Sequence, residues 1–167
     1  AKSYASASGQ YASVGCGDTV HVCWMDHRHS QARFSFDAPP VENNDIYYRR
    51  RRDGDNEWNE EAWLSKGVMY CYAPTISAEG QNVVVAWAGI QSAGKEHTDM
   101  GPNDIFYVTS KNGGQTWIKP QQVTDVAKDG ITCGMPQVML LDGVIHLLYT
   151  QGATQSRTEL SPGLTKL

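Results

Sequence analysis

One pentapeptide occurs twice in this chain, with one Tyr exchanged for Phe. Asn44-Asp45-Ile46-Tyr47-Tyr48 returns as Asn103-Asp104-Ile105-Phe106-Tyr107, 59 positions later, and Trp58 returns as Trp117 at the same offset. Self-similarity at a fixed period marks a chain built from repeated supersecondary units that stack on one another. The text around each copy repeats as well. A short strand at Tyr11 to Val14, a turn at Gly15-Cys16-Gly17-Asp18 and a β-rich run Thr19-Val20-His21-Val22-Cys23-Trp24 precede the first copy. Pro74-Thr75-Ile76-Ser77, a turn at Glu79 to Asn82 and Val83-Val84-Val85-Ala86-Trp87 precede the second. The order begins a third time with Pro136-Gln137-Val138-Met139-Leu140 and Val144-Ile145-His146-Leu147-Leu148-Tyr149, and after Gln151 it stops.

Each complete unit therefore reads as four short antiparallel strands with a period near 60 residues, and no 3.6-residue periodicity competes with this. Strand two of each unit is an apolar run, as expected of a strand packed on both faces. Fourth strands fall within Trp58 to Leu64 and Trp117 to Val123. This is the signature of all-β propeller blades. The chain of 167 residues holds about two and a half to three of them in one partial propeller domain: blade 1 about 8–66, blade 2 about 67–125, and an incomplete blade 3 about 126–167.

Between strands three and four lies Ser110-Lys111-Asn112-Gly113-Gly114-Gln115-Thr116-Trp117. Asn112-Gly113 suits the two positive-φ positions of a type I′ turn, the Ser, Asn and Thr side chains can bond the turn's own backbone, and Trp117 can fold over it. The earlier copy, Arg51 to Trp58, is degraded: Arg51 stands for Ser110, Asp53 for Asn112 and Asp55 for Gly114. These stretches resemble the Asp-box, or BNR repeat (Ser-x-Asp-x-Gly-x-Thr-Trp), of sialidase-like β-propellers. Ser110, Asn112, Gly114, Thr116, Trp117, Asp53 and Trp58 are the matching positions. In that family the box is a structural corner away from the active site, so the resemblance speaks first to fold.

The resemblance implies a carbohydrate-active protein, a sialidase or exo-glycosidase, with its site at the mouth formed by loops before strand one and between strands two and three. It leans weakly toward a secreted or periplasmic setting. The long loops 26–43 and 89–102 would rim that mouth; loops of this length are often functional. The family clamps its substrate carboxylate with arginines, one of them two residues before the strand-one proline. The matching positions are Tyr72 and Gly134, and Gly9 in the first unit, so none is arginine. The usual Tyr nucleophile and its Glu partner come from later blades. Asp26 or Asp37 could fill the place of the acid/base Asp. The competing class is a non-catalytic glycan-binding or scaffolding propeller, which the missing arginines favour.

Asp26-His27-Arg28-His29 is the densest polar cluster. It is either a general acid, a carboxylate clamp or a metal-ligand set, or a solvated loop end with Asp26 capping a turn. Tyr72, His97 and Asp99 are the further ligand candidates at the expected mouth. Arg49 to Arg52 reads as an outer strand neutralised by the acidic residues that follow, or as a phosphate or sulfate site. Net charge is −4, and nothing in its pattern suggests nucleic acid or an anionic membrane as partner. No apolar run is long enough to span a bilayer. No cofactor or metal is expected.

Cys71 and Cys133 each lie three residues before a strand-one proline, so they are equivalent and expected at the same mouth, most simply as buried free thiols. A turn at Gly17-Asp18 pairs Cys16 with Thr19, not with Cys23. His21 and His146 read as buried, hydrogen-bonded histidines. Trp24, Trp87 and Tyr149 share one place at the end of strand two, as core anchors or as sugar-stacking faces. Two and a half blades cannot close a ring and would expose an apolar face and open strand edges. Completion would come from a longer chain, from a homo-oligomer, or from Lys2 to Ser8 or the tail of the same or another copy filling the half blade.

Overall fold

The computed structural model describes residues 10–28, 44–91 and 101–153. The first sheet runs in chain order through β1 (Tyr11–Cys16), β2 (Thr19–Asp26), β3 (Asp45–Arg52) and β4 (Ala62–Trp63). The second repeats this order with β5 (Val68–Glu79), β6 (Asn82–Gln91), β7 (Asp104–Ser110) and β8 (Gln121–Gln122). The third holds β9 (Ile131–Leu141) and β10 (Val144–Ala153). All pairings are antiparallel. The helical content among the described residues is one 3-10 turn, Ala127–Asp129. No described helix is long and apolar enough to cross a membrane. The fourth strands are shorter than the sequence suggests, and the long first strands begin well before their prolines, at Val68 and Ile131.

The core lies between the first two sheets. Alternation sends Cys23, Met25, Ile46 and Tyr48 toward the second sheet, where Ile76, Val83, Val85, Trp87, Phe106 and Val108 meet them. On β6 the residues pointing the other way, Val84, Ala86 and Ala88, are also fully buried, which explains the unbroken apolar run. The Trp87 ring is fully buried and stacks on Phe106 across the strands at 6.5 Å. Burying such a side chain contributes about 1.5–3 kcal/mol.

The repeated Asn-Asp-Ile has a structural cause. Asp45 is buried and accepts a hydrogen bond from the Ser65 hydroxyl at 2.9 Å, while Ser65 Oγ accepts from the Ile46 N–H at 3.0 Å. In the second sheet Asp104 accepts from the Thr124 hydroxyl at 2.8 Å, and Thr124 Oγ1 accepts from the Ile105 N–H at 3.0 Å. Asp104 also takes the Val126 N–H at 3.0 Å and the Gln122 amide at 3.0 Å. Each aspartate thus ties the head of strand three to the segment leaving strand four. The preceding asparagine makes the joint to the next sheet: Cys71 N–H donates to the Asn44 carbonyl at 3.0 Å, and Cys133 N–H to the Asn103 carbonyl at 2.7 Å. Cys71 and Cys133 are equivalent, as expected, yet their thiols lie inside the sheet interfaces and not at an open mouth. All four cysteines are free. Burial pushes Cys23 up to about 12 and raises Cys71 and Cys133, so these three are poor nucleophiles. Cys16 pairs with Thr19.

Ser110 to Trp117 is a self-satisfied turn, but not the type I′ turn expected at Asn112-Gly113. The positive φ values fall on Gly113 (65°) and Gly114 (83°). Asn112 acts through its side chain: Oδ1 accepts from the Thr116 N–H and the Ser110 hydroxyl, both at 2.9 Å, and Nδ2 donates to Thr116 Oγ1 at 2.9 Å. Ser110 Oγ accepts from the Gly114 N–H at 2.8 Å. The turn docks on the first sheet. A Cβ at Gly114 would lie 1.9 Å from the Tyr48 hydroxyl, and Trp117 meets Tyr48 edge-on with ring centroids 4.7 Å apart. His21, fully buried as expected, places Nδ1 2.7 Å from that hydroxyl. In the earlier copy different residues do the work: Asp55 accepts from the Arg52 N–H at 3.2 Å and Asn59 Oδ1 from the Arg50 N–H at 2.5 Å. Trp58 is 40% exposed, with Arg51 5.9 Å from its ring.

The third sheet leans on the second through side chains. Thr75 and Ser77 accept from the Val138 and Leu140 N–H groups at 3.4 and 2.9 Å, and the Glu79 carboxylate accepts from Asp142 and Gly143 N–H at 2.9 and 2.7 Å. Its far face is open: Met135, Met139, Leu141, Val144 and Leu148 are all exposed. His146 belongs to that face and is exposed. The expectation of a buried histidine fails there because no described strand or sheet covers it.

Candidate functional site

The end of β2 and the start of β3 carry the densest set of interacting charges. Asp26 pairs with Asp45 in the strand register and is 3% exposed. Its carboxylate accepts from the Arg28 backbone N–H at 2.8 Å, from Arg28 Nη2 at 2.5 Å and from the Trp24 indole at 3.4 Å. Arg28 also donates through Nη1 to Glu61, from the segment entering β4, and Arg49 Nε lies 4.0 Å from the same carboxylate. The guanidinium sits 4.2 Å from the Tyr47 ring centroid. Hydrogen bonding to Asp26 first, and then to Glu61, raises the Arg28 pKa. Burial raises that of the Tyr47 phenol. One arginine is therefore held by two carboxylates and an aromatic face, in a geometry that leaves it one-third exposed.

That arginine stands beside an aromatic shelf. Trp24, Tyr47 and Trp63 follow one another across β2, β3 and β4 on the same face. Centroids are 6.1 Å apart for the first pair and 6.4 Å for the second, with planes inclined by 28° and 22°. Tyr11 opposes Trp24 on β1 and is 80% exposed. Lys66 Nζ lies 5.4 Å from the Trp63 ring. The same face of the second sheet carries Trp87 and Phe106, covered by the first sheet. On the first sheet Arg49 stands where the second has Val108, so on β3 the equivalent face is aromatic at Tyr47 and charged at Arg49 and Arg51, with Val22 and Val20 beside them on β2.

The loop ends of the next two sheets are kinked. Ala73 and Met135, each directly before a proline, have φ of 51° and 48°, and Tyr70 has 51°. Left-handed backbone is unfavourable for residues with a Cβ, more so for bulky ones, and such residues persist only where the surroundings hold them. Gln10 supplies part of that hold, its side-chain oxygen accepting from the Ala73 N–H. Tyr72 points across the joint to the third sheet. Its hydroxyl lies 3.5 Å from the Cys133 carbonyl, and a Cβ at Gly134 would come within 3.1 Å of it. Tyr72 and Gly134, each two residues before a proline, thus meet at this joint.

Comparison with solved structures matches this order of antiparallel sheets. A Hadza microbial sialidase superposes with a TM-score of 0.56 at 13% identity, over 87% of this chain and 33% of that one. The fold is sialidase-like. A family 117 glycoside hydrolase of the marine bacterium Zobellia galactanivorans gives 0.51 at 13% identity, over 94% of this chain and 54% of that one. Trypanosoma rangeli sialidase in complex with the inhibitor DANA gives 0.50 at 10% identity, over 96% and 30%. The chain spans between about a third and a half of the length of these neighbours. No family model matches the sequence, and no curated protein does.

In this sialidase-like frame Asp26, His27 and Arg28 lie together at the loop end of β2, with His27 half-buried. Tyr72 lies in the joint between the second and third sheets. His29, Asp37, His97 and Asp99 fall outside the described residues. Among the described residues no group of three metal-ligating side chains forms. The sequence reading missed Glu61 and Arg49. Glu61 had no motif to select it; Arg49 was read only as part of a basic run, although strand alternation from Tyr47 puts it on the aromatic face.

Proposed function

We propose that this chain supplies part of a carbohydrate-active, sialidase-like propeller, and that the Arg28 cluster with its aromatic shelf is the glycan-contacting part. The observation that carries this is the seating of Arg28 between Asp26, Glu61 and Tyr47. Such an arginine can take a sugar carboxylate or hydroxyl pair bidentately, while the exposed edges of Trp24 and Trp63 accept the C–H face of a pyranose. Within this reading Asp26 has two possible roles. It is the acid/base residue of an exo-glycosidase whose nucleophile comes from further blades, or it only orients Arg28. The second role, and with it a non-catalytic glycan-binding propeller, is favoured by the Arg28 and Trp24 donors that converge on Asp26 and by Tyr72 filling the clamp position.

Glycan-array binding and turnover of a fluorogenic sialoside separate the two. Arg28→Ala is expected to lower glycan binding about tenfold, the scale of one charge-assisted contact, with the melting temperature nearly unchanged. Binding without turnover supports the lectin. Turnover abolished by Asp26→Asn supports the enzyme. Absence of both, or an Arg28→Ala variant that binds as well as the parent, removes the assignment.

In this reading the blades run about 8–66, 67–125 and 126–167, with Ser110 to Trp117 as an Asp-box corner. The open face of the third sheet is then completed by further blades, in a longer chain or from other copies of this one. Light scattering on a size-exclusion column tests the second route. A discrete dimer or trimer is the expected result if copies complete one another, and a stable soluble monomer excludes it.

A further inference from the structure

At the opposite end from the Arg28 cluster the β1–β2 turn, the β5–β6 turn and the Gly113 turn enclose a cavity of about 330 Å³. Two strand residues of like charge line it. Arg50 pairs with His21 and Arg52 with Thr19 in the β2–β3 register, so alternation sends both toward the second sheet, while Arg49 and Arg51 go to the other face. Arg50 lies against the turn of the second sheet: a Cβ on Gly113 would stand 3.5 Å from its Nη1 and 3.0 Å from Gln81 Oε1. Arg50 Nε is buried without a hydrogen-bond partner, and no ion pair of Arg50 forms among the described residues. Arg52 is paired, its Nε 3.3 Å from Asp18, which is mostly exposed and lines the same cavity. Arg50 and Arg52 also line a second cavity, which they share with Asp55 and Glu57.

The Nε of Arg50 is sealed away, so its Nη1 end, beside Gly113 at the cavity wall, is the part a ligand can reach, and two guanidinium groups at one cavity favour an anion there. We propose that this cavity is a binding site for a tetrahedral oxyanion, a sulfate or phosphate group, held by Arg50 and Arg52. A guanidinium fork matches two oxygens of such a group. His21 fits the same reading from the side: burial and the neighbouring Arg50 charge hold its pKa below the ordinary value, and its ring is already engaged with Tyr48. The site lies on the turn side of the sheets, away from the Arg28 cluster, and stands or falls independently of it.

The test is calorimetric titration of the full chain with inorganic sulfate, inorganic phosphate, galactose 6-sulfate and glucose 6-phosphate, with sodium chloride at matched ionic strength as the control. Saturable binding of at least one inorganic ion is expected. Arg50→Gln is expected to weaken it about tenfold or more, Arg50→Lys less, and Arg51→Gln, on the opposite face, not at all. Tighter binding of a sugar ester than of its inorganic ion would identify a substituted sugar as the source; equal binding would identify the free ion. Ring resonances of His21 should shift on binding in the parent and not in Arg50→Gln. Should Arg50→Gln melt early, Arg52→Gln carries the same expectation. No saturable binding, or equal losses for Arg50→Gln and Arg51→Gln, overturns the proposal.

Discussion

Replacing Gly114 by alanine is expected to cost about 3 kcal/mol, the combined scale of a Cβ in left-handed backbone and of overpacking a filled interface. The added carbon would stand 1.9 Å from the Tyr48 hydroxyl and 2.5 Å from the ring carbon that bears it. Tyr48 is fully buried and has nowhere to retreat. Its hydroxyl is engaged with His21, and its ring receives the Trp117 edge. The substitution therefore does not damage one turn alone but pushes two sheets apart. A double-mutant cycle sharpens the test. Tyr48→Phe removes the atom nearest the clash, so Tyr48→Phe/Gly114→Ala is expected to fall short of additivity by about 1 kcal/mol. Urea melts read both effects. A Gly114→Ala protein as stable as the parent, or a fully additive cycle, would mean that this contact does not hold the sheets together.

The second large effect is expected at Asp104. Its carboxylate, 5% exposed, takes the Thr124 hydroxyl, the Val126 N–H and the Gln122 amide. Alanine there would strand several donors in a closed space. The expected loss is about 3 kcal/mol, since each hydrogen bond to a charged group is worth about 1.5–3 kcal/mol and stranded buried donors add to the cost. Asp104→Asn should recover only part, because the amide brings a donor where donors already converge. The damage has a direction. Val126 leads into the third sheet, so hydrogen exchange should quicken first in β9 and β10. Asp45→Ala should instead loosen β4 and the start of β5, through Ser65. Uniform acceleration over the whole chain in both variants would contradict this division.

These two residues show what the sequence discloses and what it hides. The Asn-Asp-Ile repeat and the strand order were legible because they are periodic, and periodicity survives without knowledge of contacts. The partners Ser65 and Thr124 were legible in principle, since they share the 59-residue offset, but a lone hydroxyl carries no pattern unless one asks what a buried aspartate needs. The turn type was misread because Asn-Gly favours type I′ locally, whereas here the side chain of Asn112 bonds Thr116 and the left-handed positions move to the two glycines. His146 was misread for another reason. It shares the β-rich setting of His21, but exposure depends on whether another sheet arrives, and no local spacing encodes that. Glu61 was invisible as a partner of Arg28 because nothing but the fold brings them together.

The stacked pairs Trp24–Tyr47 and Trp87–Phe106 have a consequence for how such a frame can change over generations. Both pairs keep the same cross-strand register, although the chain linking the first pair is four residues longer than the chain linking the second. The longer connection leaves the β2–β3 register the same as that of β6–β7. An engineer could use the same tolerance: peptides spliced between β2 and β3 or between β6 and β7 should be displayed while the sheets beneath keep their melting temperature.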